Sequence, residues 1–137
     1  MIGTISQLIA QIESSNNPHA LRFEPRFNPT AENIAAASHS NMCSTSTGNM
    51  ICATSWGLYQ IMGENLYSLG FKSSIFDFIN SPTLQFVYFN EFLASRKLGA
   101  ITLEDLRTDQ TKREYFATRY NGAAYPYANL ILSNLTK

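Results

Sequence analysis

The stretch SWGLYQIMG, from Ser55 to Gly63, holds the only tryptophan of the chain and sets one glutamine between apolar side chains. Its pattern predicts a short helix over residues 55–62. Gly57 lacks a Cβ, so a ligand or another backbone can approach it closely, and the Gln60 amide is both donor and acceptor. The same residues also suit plain helix packing. The stretch is therefore part of a core or one wall of a site.

Composition indicates one globular domain spanning residues 1–137. The chain has 137 residues, of which 45% are hydrophobic and 12% aromatic, so it is long enough to bury a single core. Ten basic and ten acidic residues give no net charge. This balance argues against a nucleic-acid partner bound through bulk electrostatics and is compatible with a neutral polar partner.

No apolar run approaches the roughly 20 residues that a membrane-spanning helix needs, so no stable membrane insertion is predicted. The beginning, MIGTISQLIAQIE, has no basic residue before its apolar part and no small-residue cleavage site after it. It is therefore predicted to be a helix and not a signal peptide. Action outside a cytoplasm would then require another means of delivery.

The apolar residues within positions 3–13 have the spacing of a helix. Thr30 is a predicted N-cap for a second helix in AENIAAAS. Residues 38–54 are rich in Ser, Thr and Asn, which predicts a loop or small hairpin. The longest helix is predicted for PTLQFVYFNEFLASRKLG, with Pro82 in its first turn and Gly99 at its end. Further helices are predicted in TLEDLR, TKREYFATRYNG and PYANLILSNL.

The predicted fold is mainly α, a compact helical domain around the central apolar helix PTLQFVYFNEFLASRKLG. Six of its apolar residues should be buried nearly all round: Leu84, Val87, Tyr88, Phe89, Phe92 and Leu93.

The cysteines and histidines do not form a metal-binding pattern. Cys43 and Cys52 have too few partners at their spacing, and His19 and His39 add no ligand motif. The two cysteines either close a loop as a disulfide, which would imply an oxidising compartment, or remain separate thiols. No metal or other cofactor is expected.

Two carboxylates are candidates for acid–base chemistry. Glu13 ends the first predicted helix, where the helix dipole disfavours a charged carboxylate and should raise its pKa, as a general acid requires. The plainer interpretation is a solvated helix-end glutamate. Glu24, in RFEPRF, either pairs with Arg22 or Arg26 or supplies a second carboxylate in an aromatic-lined cleft.

The ordered series ESSNNP, SWGLYQIMG and FATRYNG resembles the lysozyme-like superfamily, including the soluble lytic transglycosylases. It is more similar to the N-acetylmuramidase domain of phage endolysins, which also has a Phe-Glu-x-x-Phe segment, here formed by Phe23, Glu24 and Phe27. The resemblance extends from about residue 5 to about residue 135 and implies an α+β lysozyme-like fold. It also implies that the partner is the glycan strand of bacterial peptidoglycan.

By this resemblance Glu13 corresponds to the catalytic acid, and Glu24 to the second acidic position. The predicted substrate-binding residues are Ser14, Ser55, Gly57, Tyr59, Gln60, Met62, Tyr120 and Asn121. Read alone, RYNG is equally a helix C-cap. Pro25 and Arg26 depart from the Arg-His that commonly follows the second acid in the family. Residues 38–52 have no family motif.

The function predicted is cleavage of the β-1,4 bond from N-acetylmuramic acid to N-acetylglucosamine. If Glu24 faces Glu13 across the cleft, the reaction is hydrolysis; if not, the 6-hydroxyl of the muramic acid attacks and a 1,6-anhydro sugar forms. A non-catalytic glycan-binding or virion structural module is the third hypothesis. The site of action is expected to be the periplasm or cell wall, reached from the host cytoplasm with a holin, or carried in a virion.

Overall fold

The computed structural model describes residues 4–120 of the chain. This part contains eight α-helices and a three-stranded sheet, which confirms the mainly α prediction with a small β component. In chain order the elements are α1 (Ile5–Ser14), β1 (Leu21–Phe23), α2 (Ala31–Asn41), α3 (Thr45–Cys52), β2 (Thr54–Trp56), β3 (Ile61–Met62), α4 (Gly63–Ser68), α5 (Ile75–Ile79), α6 (Pro82–Ala94), a 3₁₀ turn (Arg96–Leu98), α7 (Leu103–Thr108) and α8 (Gln110–Tyr120).

The predicted helix over residues 55–62 is wrong, because this stretch forms a hairpin. Strand β2 pairs antiparallel with both β1 and β3, with Ser55 opposite Met62. Gly57 and Gln60 both have positive φ, of 80° and 52°. A right-handed helix cannot contain these two left-handed residues, so the chain turns back between them.

The loop or hairpin predicted for residues 38–54 is also wrong for most of that range. Helix α2 continues to Asn41 and α3 begins at Thr45, with a short connection in which Met42 is left-handed. Thr30 caps α2 as predicted, since its side chain accepts a hydrogen bond from the Asn33 amide. Ser44 caps α3 in the same way. The polar residues here are helix caps, which composition alone did not distinguish from a loop.

Helix α6 begins with Pro82 in its first turn as predicted, and the left-handed Gly99 follows the next 3₁₀ turn. Phe89, Phe92 and Leu93 are buried in the core, but Val87 is 43% exposed. The expectation of burial nearly all round is therefore wrong for part of α6. One fully buried residue of this helix is polar: Gln85.

Cys43 and Cys52 are free thiols in this structure, so the disulfide alternative is not realised in it. Cys52 is buried, and desolvation followed by the nearby Glu64 carboxylate raises the pKa of its thiol to about 12. Between residues 4 and 120 there is no group of three or more His, Cys, Asp or Glu side chains that could hold a metal ion. Over the same range no helix is long and apolar enough to cross a membrane.

Candidate active site

Glu13 lies in the last turn of α1, where the sequence placed it. The helix ends because Ser15 and Asn16 both adopt left-handed backbone conformations. The Glu13 side chain is half-buried, and its Oε2 atom has almost no accessible surface. The carboxylate is thus held at a helix C-terminus and partly shielded from water.

The neighbouring Ser14 connects this helix end to the hairpin. Its hydroxyl donates to the Leu58 carbonyl at 2.8 Å, and it also lies 3.0 Å from the Ala10 carbonyl. The same oxygen accepts from the Asn17 amide at 3.2 Å. These contacts give Ser14 a positioning role, and its predicted contact with substrate stays a prediction.

Gln85 holds Leu58 from the opposite side. Its Oε1 accepts from the Leu58 amide at 2.7 Å, while its Nε2 donates to the carbonyls of Pro18 and Phe78, each at 3.0 Å. We call this arrangement of Ser14, Leu58 and Gln85 the turn clamp. It joins the segment after Glu13 to the hairpin and to α6, through backbone groups that a buried amide can satisfy.

The turn clamp explains why residue 57 is a glycine. A Cβ built on Gly57 would overlap the side-chain amide of Gln85, and the positive φ also favours glycine. The close approach that the sequence suggested at this residue is therefore made by a core side chain. A role for Gly57 in binding substrate remains untested.

Tyr59 and Tyr120 continue the buried side of the site. The Tyr59 ring stacks on Phe89 with centroids 4.3 Å apart and is almost fully buried, so its side chain belongs to the core. The Tyr120 hydroxyl donates a hydrogen bond to the Tyr59 carbonyl. The Tyr120 ring packs against Phe92 and Phe116.

Burial and the charge of Glu13 both act on the pKa of the Tyr120 phenol. Burial is the largest cause that raises the pKa of the Tyr120 phenol well above its usual value, and the negative charge of Glu13 is the next. The structure therefore couples the two residues that sequence reasoning had taken from opposite ends of the chain.

A cleft of about 250 Å³ opens beside Tyr120. Five of its lining residues were predicted from the sequence: Glu24, Ser55, Gln60, Met62 and Tyr120. Sequence reasoning missed the other four: Asn65, Phe92, Lys97 and Arg119. Half of the ten predicted site residues thus line one cleft. Glu13 is not among its lining residues, and Gly57, Tyr59 and Ser14 belong to the packed structure behind it. Asn121 lies outside the described residues.

Gln60 lines the cleft and also fixes its own turn. Its Nε2 donates to the Gly57 carbonyl at 3.0 Å and to the Ala20 carbonyl at 3.2 Å. These two bonds hold a residue whose left-handed backbone is uncommon outside glycine. Gln60 is therefore a rigid part of the cleft wall.

Glu24 pairs with Arg22, as one of the two interpretations of RFEPRF predicted. The Arg22 Nε lies 3.0 Å from the Glu24 Oε1, and the two side chains are 77% and 40% exposed. Since Glu24 also lines the cleft, the ion pair orients a carboxylate at its solvent-exposed edge. Pairing and a place in the cleft are thus compatible.

The missed residues could not be grouped from local sequence. Two signals were available: Asn65 follows the SWGLYQIMG stretch closely, and Arg119 is the first residue of RYNG. Lys97 comes from the 3₁₀ turn after α6 and donates to the Asn65 Oδ1 at 2.7 Å. Arg119 precedes Tyr120 on α8, with its guanidinium 5.1 Å from the centre of the Tyr115 ring.

Together, a helix-end glutamate coupled to a tyrosine and a second carboxylate in a polar cleft are typical of a glycoside hydrolase on a small α+β fold. Comparison with known proteins agrees, and the chain belongs to the N-acetylmuramidase family, whose model matches residues 41–130. An endolysin of Enterobacteria phage PRD1 is 40% identical over 141 residues, which cover 94% of this chain and 92% of that protein. No solved structure matches.

The chain is therefore a peptidoglycan glycoside hydrolase, and the non-catalytic hypothesis is set aside. The family match includes the hairpin and Tyr120, while Glu13 and Glu24 precede it. The roles of these two carboxylates rest on the geometry described above and on the resemblance of their motifs.

Proposed function

We propose that the chain is a single lysozyme-like domain that cleaves the β-1,4 bond between N-acetylmuramic acid and N-acetylglucosamine in peptidoglycan. The observation that carries this proposal is the half-buried Glu13 carboxylate at the end of α1, whose negative charge acts on the Tyr120 hydroxyl of the cleft. Family membership supports the substrate class.

Glu13 is the general acid in this mechanism. A helix C-terminus and partial burial both disfavour a charged carboxylate. The Tyr120 hydroxyl gives its single proton to the Tyr59 carbonyl, so toward Glu13 it can act only as an acceptor. An acceptor of this kind favours the protonated acid, which donates its proton to the leaving glycosidic oxygen as positive charge develops on the sugar.

Glu24 is the base that activates water on the other face of the sugar. Its place in the cleft and its contact with Arg22 support this role. An inverting hydrolase needs roughly 6.5–9.5 Å between the two carboxyl groups, which leaves room for the attacking water. The product is then a reducing muramic acid of inverted configuration.

Mass spectrometry of the released muropeptides tests this mechanism. Hydrolysis yields reducing sugars that contain the added water, and we expect only these from the wild-type protein. Products lighter by one water would show attack by the 6-hydroxyl and would replace the hydrolase with a lytic transglycosylase. Glu13→Gln should give neither product, and full activity in that variant would reject Glu13 as the acid.

For the biological setting, we propose host lysis, with release from the host cytoplasm to the cell wall through a holin-type membrane lesion. The name of the phage relative, endolysin, supports this setting. Cells that express the chain should lyse promptly when their inner membrane is permeabilised and remain intact beforehand. Lysis without permeabilisation would contradict the need for such a partner, and the chain in purified virions would instead indicate delivery by the particle.

A further inference from the structure

A second cavity adjoins the cleft and shares part of its lining. It has a volume of about 320 Å³ and lies between α4 and the 3₁₀ turn after α6. Asn65, Phe92 and Lys97 line both cavities. A ligand in the cleft therefore has continuous surface on which a branch can extend.

One cation, Lys97, lines both cavities, whereas Arg119 lines only the cleft and Arg96 lines only the second cavity. The Lys97 ammonium donates to Asn65, so it remains at the shared wall. Arg119 lines the cleft, and its guanidinium lies over the Tyr115 ring. We call Lys97 and Arg119 the cationic rim.

The cationic rim has charge available for a ligand. The ion pairs found between residues 4 and 120 involve Arg22, Arg107 and Lys112, and none involves the rim. Outside that range the sequence contains no Asp or Glu.

Each acidic residue that lines the two cavities already has a contact. Glu24 pairs with Arg22. The Glu64 carboxylate accepts from the Thr30 amide, at 3.2 Å and 3.3 Å from its two oxygens. Neither of these contacts involves the rim, so Lys97 and Arg119 can attract a ligand anion.

We propose that the cationic rim binds carboxylates of the peptide stems that branch from the glycan strand. This inference rests on the proposed function, since the stems leave the muramic acid beside the bond that is cut. The glycan itself is neutral, whereas the stems have free carboxylates. A carboxylate that meets Lys97 and Arg119 forms charge-assisted hydrogen bonds, which are stronger than those of neutral hydroxyls. Recognition of the stem thus separates peptidoglycan from uncharged β-1,4 glycans.

The test compares two substrates and a set of matched variants. Purified sacculi are used intact and after their carboxylates are amidated with a carbodiimide and excess methylamine. The variants are Lys97→Gln, Arg119→Gln and their double. Lys97→Arg retains the charge, and Lys72→Gln removes an exposed charge elsewhere.

On intact sacculi the double variant should lose about tenfold in kcat/KM, chiefly through KM, because two charge-assisted contacts are lost. Lys97→Arg, which keeps the charge, should lose less kcat/KM than Lys97→Gln. Lys72→Gln removes a charge outside both cavities and should stay within about twofold of the wild type. On amidated sacculi the wild type should fall to the level of the double variant, and their difference should vanish.

Equal losses in the double variant on both substrates would overturn the proposal and indicate a structural role for the rim. Amidation without effect on the wild type would overturn it too. Glu13→Gln separates the two hypotheses, because it removes activity on both substrates if the proposed function is correct. If Glu13→Gln stays active, the acid is misassigned, while the comparison of intact with amidated sacculi still tests the rim.

Discussion

The two sides of the cleft differ in how their residues are held. On one side the turn clamp and the Tyr120–Tyr59 contact are formed by buried and half-buried groups, with Gln85 fully enclosed. On the other side Glu24 and Lys97 are joined to partners by contacts at the surface. The buried side can position an acid accurately because its hydrogen bonds are partly shielded from water. The exposed side keeps charges that a substrate can reach.

This contrast suggests a division of work. Chemistry requires atoms in fixed places, and the buried side supplies them. Recognition of a long, variable polymer tolerates movement, and the exposed side permits it. Changes on the buried side should therefore alter rate and stability, whereas a change at Lys97 on the exposed side should alter binding of the substrate. Glu24, as the proposed base, is the exposed residue whose change should also alter the rate.

The largest effect is expected for Glu13→Gln. Loss of a general acid should lower kcat by about 10²–10⁴-fold, while the melting temperature changes little. Turbidity clearing of a peptidoglycan suspension measures the rate, and Glu32→Gln, at an exposed glutamate of α2, is the matched control. A variant that clears at the parental rate would remove Glu13 from the mechanism.

Gln85→Leu should produce the largest loss of stability. The Leu58 amide and the Pro18 carbonyl would lose their partner, and the Phe78 carbonyl would keep only backbone donors such as the Ser81 amide. We therefore expect the free energy of unfolding to fall by about 3 kcal/mol. Urea denaturation measures it, with Asn90→Ala on the same helix as a control. If Gln85→Leu were as stable as Asn90→Ala, the buried contacts of Gln85 would not be what stabilises this side of the cleft.

The next largest loss of stability should come from alkaline pH, which removes protons from two groups of the buried core. Burial raises the pKa of the Cys52 thiol from 9.0 and that of the Tyr67 phenol from 10.0, in each case to about 12. The unfolded chain therefore loses these protons at lower pH than the folded chain, so stability is full below about pH 9 and declines toward about pH 12. Denaturation at several pH values should show this decline, and Cys52→Ala should make it shallower. A stability that rises over that range would contradict the assignment.

The smallest stability change is expected for Arg22→Gln. The Arg22–Glu24 pair is exposed, so the free energy of unfolding should change by less than about 0.5 kcal/mol. The rate should nonetheless fall if the pair orients Glu24 as the base. If Glu24→Gln kept the full kcat, Glu24 would not be the catalytic base, and its role on the exposed side would be limited to binding substrate.

Local signals predicted some elements well and others badly. Pro82 and Thr30 marked helix starts correctly, because capping and proline preferences act within one turn. Residues 55–62 and 38–54 were misassigned in opposite directions. The hairpin depends on pairing with β1, far away in sequence, and the polar helix α3 depends on caps and packing against α2, so composition misled in both cases.

The site was predictable to the extent that its residues lie in recognisable motifs. Glu24, Ser55, Gln60, Met62 and Tyr120 do line one cleft. Gly57 and Tyr59 belong to the same motif, yet they face the core. Gln85 comes from α6 and Lys97 from the 3₁₀ turn after it, and no local sequence pattern connects either residue with the cleft.

By itself the sequence determined the class of fold, the family motifs and the helix-end position of Glu13, since each depends on neighbours within a few residues. Only the tertiary structure decided which motif side chains reach the cleft, which residues brace the hairpin and where the free cations lie. These depend on contacts such as Gln85 with Leu58 and Lys97 with Asn65, which join residues 27 and 32 positions apart. Such contacts form only when the whole chain packs, and therefore no short pattern encodes them.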